Sequence, residues 1–226
     1  MVKQTVLELE TLPLSFQGQI ALADIVPRRF TGGIAEGANL RTPCGLRRIE
    51  IVRPGDLIVT RTNGLQPVQM VWKRRLTRKQ LEQNPDLAPI RLRPRAIGPM
   101  MPQRDLMVAP DHRLLIPGFR LAGIEDDTSV LTEARKIAES SDSIFVDHDV
   151  DSVTYYQLVF EEHQVLAANG LPVESYLPDA AAIQALGGEM RDALEERFPD
   201  LLSAPESYPA SRYEIASEVE YLPFFA

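Results

Sequence analysis

The chain has 226 residues and a formal net charge of −8. That length supports one substantial core with a small appendage, and the charge argues against a general nucleic-acid binder, whose phosphate contacts need clustered Lys and Arg. The single cysteine, Cys44, allows no internal disulfide and leaves too few thiolates for a cysteine-based zinc site, and no stretch approaches the roughly eighteen apolar residues of a membrane span.

Residues 1–29 read as an N-terminal arm. Its opening, MVKQTVLELETLPLSF, alternates charged and apolar residues and lacks the continuous apolar core of a secretory signal. Within it VLELETL alternates as an edge strand would, and Pro27 with Arg28 and Arg29 closes the arm. A cytoplasmic, reducing location is expected, with export routes that read C-terminal signals left open.

From residue 30 to about 178 the chain is mostly short strands cut by turns. NLRT and LRRIEIV come first, then the turn RPGD, then LIVTRT. Asn63-Gly64 follows and predicts a type I′ hairpin leading into LQPVQMVWKRR. Thr77 is placed to cap a short helix over RKQLEQ that ends near Asn84-Pro85. APIRLRPRAI alternates, with Ile90 and Leu92 on one face and Arg91 and Arg93 on the other. RDLMVAPDHRLLIPGFRLAGI is two apolar runs around APDHR, and VLTEARKIAESS fits either a strand edge or a helical turn. SVTYYQLVFEEHQVLAANGLPV reads as a further strand pair, rich in Val, Tyr and Phe.

Residues 179–226 change character. Leu186, Met190, Leu194 and Phe198 recur every four residues, the spacing of one apolar helical stripe, with Gly187-Gly188 able to split it and Pro199 to end it. The closing YLPFFA, which follows an acidic stretch, is expected to dock on some surface.

Several residues invite chemistry and also have a plainer reading. Cys44 reads as a small turn residue rather than a nucleophile. His148 in DHDVD, with Asp147, Asp149 and Asp151, reads as a solvated loop rather than a metal site, because alternation splits the histidine from the aspartates. Asn169-Gly170 reads as a hairpin turn rather than a cyclisation site. TNGLQPV at 62–68 echoes ANGLPV at 168–173, as either a duplicated β-unit or two independent hairpins would produce. KRRLTRK, with Arg91, Arg93 and Arg95, reads as a solvated basic face.

Three blocks in order resemble the Hint family, the fold shared by inteins and the autoprocessing domain of hedgehog proteins, and among them the bacterial Hint-containing proteins. GIAEGANLRTPCGLRRIEIVRPGDLIVT carries the TPxG and GD phrases of the first block and sets Gly33 where the family has a nucleophilic Cys or Ser. APDH supplies the histidine of the second block as His112, with Ala109 in place of its threonine. YYQLVFEEHQVLAANGLPVES supplies the third, with Tyr156, Leu158, His163 and Ala168 to Gly170, and ends in Glu174-Ser175 where inteins have a closing His-Asn.

The resemblance implies an all-β, pseudo-symmetric horseshoe over residues 30–178, preceded by the arm at 1–29 and followed by a helical extension and tail at 179–226. It also implies a chemistry. The first residue attacks the carbonyl before it, an N-to-S or N-to-O acyl shift, while the second-block histidine handles the amide proton. His112 is therefore the candidate catalytic residue, read equally well as a core-edge histidine left after activity was lost. His163 reads as a packing residue. Gly32, Gly33, Glu174 and Ser175 are the processing-junction positions. Gly33 has no nucleophile, and Glu174-Ser175 cannot cyclise as asparagine does, so a degenerate self-processing domain is expected, with a non-catalytic binding module as the alternative. No cofactor or metal is expected. The expected partner is flanking polypeptide or another protein, not nucleic acid or membrane.

Overall fold

A computed structural model of the protein describes residues 31–223. The expected arm at 1–29, with its edge-strand reading, lies outside the described residues. Three short strands come first, β1 (Ile34–Ala35), β2 (Asn39–Thr42) and β3 (Gly45–Arg48). Pro43 and Cys44 form the tight turn between β2 and β3, so Cys44 sits exposed at a hairpin tip. The strand expected through LRRIEIV stops at Arg48, where a 3-10 turn over Ile49–Ile51 buries Ile49.

The hairpin of β4 (Leu57–Thr60) and β5 (Gly64–Pro67) forms where the sequence places it, but with a different turn. Thr60 pairs with Gly64, which leaves a three-residue loop. The Thr60 hydroxyl accepts from the Asn63 amide and donates to the Gly64 carbonyl, and this side-chain bonding replaces the type I′ geometry. Next come β6 (Met70–Thr77) and α1 (Arg78–Gln83). A capping box starts α1: Thr77 accepts from the Gln80 amide and the Gln80 side chain accepts from Thr77 N.

The remaining strands are β7 (Ile90–Leu92), β8 (Leu106–Val108), β9 (Arg113–Pro117), β10 (Ser129–Glu133), β11 (Ile144–Val146), β12 (Ser152–Val159), β13 (Val165–Ala168) and β14 (Leu171–Glu174). The segment left open as strand or helix is both, β10 followed by the single turn α2 (Ala134–Ile137). The hairpin from β13 to β14 has a true two-residue turn. Asn169 and Gly170 both take positive φ, 49° and 86°, as type I′ requires.

The strands form two antiparallel sheets. The first runs β11-β7-β8-β1-β12-β6 and the second β10-β9-β14-β13-β2-β3, with the β4–β5 hairpin joined to β13. Between them lies the main core, where Ile34, Leu92 and Val108 of the first sheet meet Leu40, Leu114 and Val173 of the second. The other side of the first sheet carries Ala35, Trp72, Leu76 and Tyr155, and the helices α3 (Ala180–Ala185) and α4 (Gly188–Arg197) pack on it. The stripe of Leu186, Met190, Leu194 and Phe198 is the face that docks there, broken at Gly187. Leu194 is fully buried, and a leucine so buried stabilises by about 1.5–3 kcal/mol. The tail then crosses to the second sheet. Tyr221 pairs with Leu121, and its hydroxyl donates to the Ala96 carbonyl.

Candidate functional site

The site forms where the chain passes from one sheet to the other. β8 ends beside β1, with Val108 opposite Ile34. The next three residues turn, and the His112 amide closes the turn on the Ala109 carbonyl at 2.9 Å. β9 then begins in the second sheet. This corner fixes the residue pair Gly32-Gly33 from two sides. The Gly33 carbonyl accepts from Ala109 N at 2.8 Å, and the Gly33 amide donates to His112 Nδ1 at 3.1 Å. The Ala109 methyl offers nothing further to the junction.

Accepting at Nδ1 leaves that nitrogen unprotonated, so the ring is neutral with its proton on Nε2. Burial enforces the same state. It pushes the His112 pKa down to about 4, with the Arg113 charge adding to the effect and Glu174 opposing it. His112 Nε2 has no hydrogen-bond partner among the described residues, nor does the buried Thr132 hydroxyl on β10.

The backbone at the junction is one that glycine favours. Gly32 and Gly33 take φ of 75° and 117°. A Cβ on Gly32 would also lie 3.4 Å from His112 Nδ1 and 3.8 Å from Gln157 Nε2. Gln157 is thus brought to the junction from β12, where it is buried.

Neither Glu174 nor Ser175 hydrogen-bonds to Gly32 or Gly33 among the described residues, though the Glu174 charge acts on His112. The register of β9 with β14 puts Glu174 opposite Arg113. The carboxylate accepts from the Arg113 amide at 3.0 Å and from its guanidinium at 3.1 Å. His163 Nε2 lies 3.6 Å from the same carboxylate. Burial pushes the Glu174 carboxyl up, but the His163 contact and the Arg113 charge more than offset it, so it is held below the usual range. Ser175 continues the β13–β14 ladder, exchanging backbone and hydroxyl bonds with Gln164.

The other candidates fall elsewhere. Asn169 is a staple: its side chain accepts from Asn39 N at 2.8 Å and donates to the Asp105 carbonyl at 2.8 Å. His148 sits in a loop, and Asp147 is held by Arg91 at 2.6 Å. Arg74 departs from the expected solvated basic face, since it is buried with its guanidinium 5.6 Å from the Tyr155 ring centroid. Among the described residues no group of His, Cys, Asp or Glu is arranged to hold a metal ion, and no helix is long and apolar enough to cross a membrane.

Arg113 and Gln157 are the neighbours that sequence reading missed. Arg113 follows His112 directly, and Gln157 stands polar in an apolar strand. Both were visible as oddities, but only strand pairing shows what they touch.

A family model described as "Hint domain" matches residues 33–180. No curated protein matches the chain. Among solved structures, the chain is similar to the gp41-1 intein at 11% identity, covering 63% of this chain and 97% of that one with a TM-score of 0.36. It is similar to the MchDnaB-1 intein at 11% identity, covering 62% and 98% with a TM-score of 0.37. A bacterial intein-like domain from Clostridium thermocellum is 13% identical, covering 64% and 99% with a TM-score of 0.36.

Proposed function

The chain belongs to the Hint domain family, whose all-β fold it has, and from that premise we propose that it is a self-processing domain by descent that holds its own Gly32–Gly33 peptide without cutting it. The observation that carries this reading is the hydrogen bond from the Gly33 amide to buried, neutral His112, made by a residue with no side chain.

An acyl shift would form a bond from a side-chain sulfur or oxygen to the Gly32 carbonyl carbon. It would break the bond from that carbon to the Gly33 nitrogen and place a proton on the leaving amine. Gly33 supplies no atom for the first step. His112 is the group placed at the leaving nitrogen, its Nδ1 3.1 Å from the Gly33 amide, so the first step is the one that lacks its atom. With no nucleophile at Gly33 to attack the Gly32 carbonyl, the segment before it stays covalently attached.

A second reading, a binding module on the same scaffold, is favoured by Ala109, which leaves the junction without a threonine hydroxyl as well. A Gly33→Cys chain treated with thiol separates the two. Thiol-dependent release of the segment before residue 33, abolished by His112→Ala, supports a retained cradle that lacks only its nucleophile. An intact Gly33→Cys chain that is still folded supports the binding module.

A further inference from the structure

The outer face of the second sheet is covered at one end and bare at the other. At the covered end, Leu115 of β9, Leu131 of β10 and Val165 of β13 pack under Tyr213 of the tail. The tail is stitched there by Leu131 N to the Glu214 carbonyl at 2.8 Å and by Ala216 N to the Leu131 carbonyl at 2.9 Å. Alternation carries the same face from Val165 to Ala167. One residue along from the pairs Leu166–Thr60 and Ala168–Leu40, Ala167 lies beside Val59 and Arg41.

Across the hairpins, Val59 faces Leu65 and Arg41 faces Leu46. This end is apolar and open: Leu46 is 67% exposed, Leu65 49% and Leu57 44%. A recess of about 450 Å³ opens on it, lined by Arg41, Leu46, Gln103, Ala167 and Gly170. β3 is also the last strand of its sheet, with one edge unpaired among the described residues. Arg41 and Arg61 are exposed here with no ion-pair partner among the described residues, in a chain whose net charge is −8.

The surface therefore asks for an occupant that is apolar and acidic. One segment of the chain outside the described residues has that chemistry. Residues 6–14, VLELETLPL, carry Val6, Leu7, Leu9, Leu12 and Leu14, and their only charges are Glu8 and Glu10. Thirty residues precede Thr31, enough when extended to span about 100 Å, so reach is no obstacle. The covered end shows the same arrangement with the other terminus: the chain's own tail closes this face.

We propose that residues 6–14 dock on the bare end of the second sheet, their leucines against Leu46, Leu57 and Leu65 and their glutamates against Arg41 and Arg61. The contact would keep the segment on the domain whether or not the Gly32–Gly33 bond is ever cut, so it stands apart from the functional reading above.

The test places a photo-reactive benzoylphenylalanine at Leu46 in the full chain and maps the adducts by peptide mass after irradiation. Cross-links within one chain to the peptide carrying residues 6–14 are expected. They should drop several-fold in a Leu7→Asp/Leu9→Asp chain and in a Glu8→Lys/Glu10→Lys chain. Cross-linked dimers would overturn the proposal in favour of a second copy as occupant. Adducts elsewhere, or none, would overturn it outright.

Discussion

The Gly33 amide donates to His112 Nδ1 across 3.1 Å, and the residue that offers it has no side chain and a φ of 117°. The histidine that the family resemblance singles out faces a backbone position that glycine alone fits easily. The consequences can be measured.

His112 should make stability fall with acid. Its folded pKa is near 4 against about 6.5 unfolded, so its neutral form is favoured by the fold. The contribution is complete above pH 6.5, is lost as pH falls from there toward 4, and is flat below, amounting to about 3 kcal/mol. Urea unfolding between pH 7 and 4 should show this slope, and His112→Gln should flatten it. A wild-type slope unchanged by that substitution would remove the buried, neutral histidine from the account.

Glu174 should matter for stability rather than for processing. Glu174→Ala leaves the half-buried Arg113 guanidinium and the Arg113 amide without their acceptor, at a cost of about 1–3 kcal/mol. Glu174→Gln keeps an acceptor for the Arg113 amide and should cost less than half of that. Because the folded carboxyl is held below its usual range, its contribution is present above pH 4.5 and fades below it. Urea midpoints of the two variants at pH 7 give the order directly.

Gly33→Ala isolates the backbone. A Cβ at a φ of 117° is strained, at a cost on the order of 1–3 kcal/mol. Thermal unfolding should register that loss, and the amide proton at position 33 should shift relative to wild type as its bond to His112 loosens. An unchanged melting temperature would mean that the junction relaxes freely.

Asn169→Ala should cost about 2–3 kcal/mol, from a left-handed residue and its bonds to Asn39 and Asp105. Asn169→Asp keeps the acceptor for Asn39 but loses the donor to Asp105, and should fall between Asn169→Ala and wild type. Chemical unfolding of the pair checks the order.

The parts of this picture legible in the sequence are those set by local chemistry. Thr77 announced the helix it caps, Asn169-Gly170 its type I′ turn, and the spacing from Leu186 to Phe198 a helix with one buried face. The block order pointed to the Hint fold and singled out His112 and Gly33. What stayed hidden depends on pairing between distant strands. Asn63-Gly64 looked like the other Asn-Gly turn, but the Thr60 hydroxyl, three residues earlier, captures the loop. Glu174 stood out in the sequence only by its place in the third block, and the register shows in addition that it faces Arg113, 61 residues away. Arg74 looked solvated until the strand carrying it paired with β12 and put it beside Tyr155.

The central claim is that the Gly32–Gly33 bond is held and not cut. The intact mass of the purified full chain, incubated with and without thiol and hydroxylamine at neutral pH, tests it most directly. The account predicts one species at the full 25.3 kDa under every condition. A product beginning at Gly33 would contradict it.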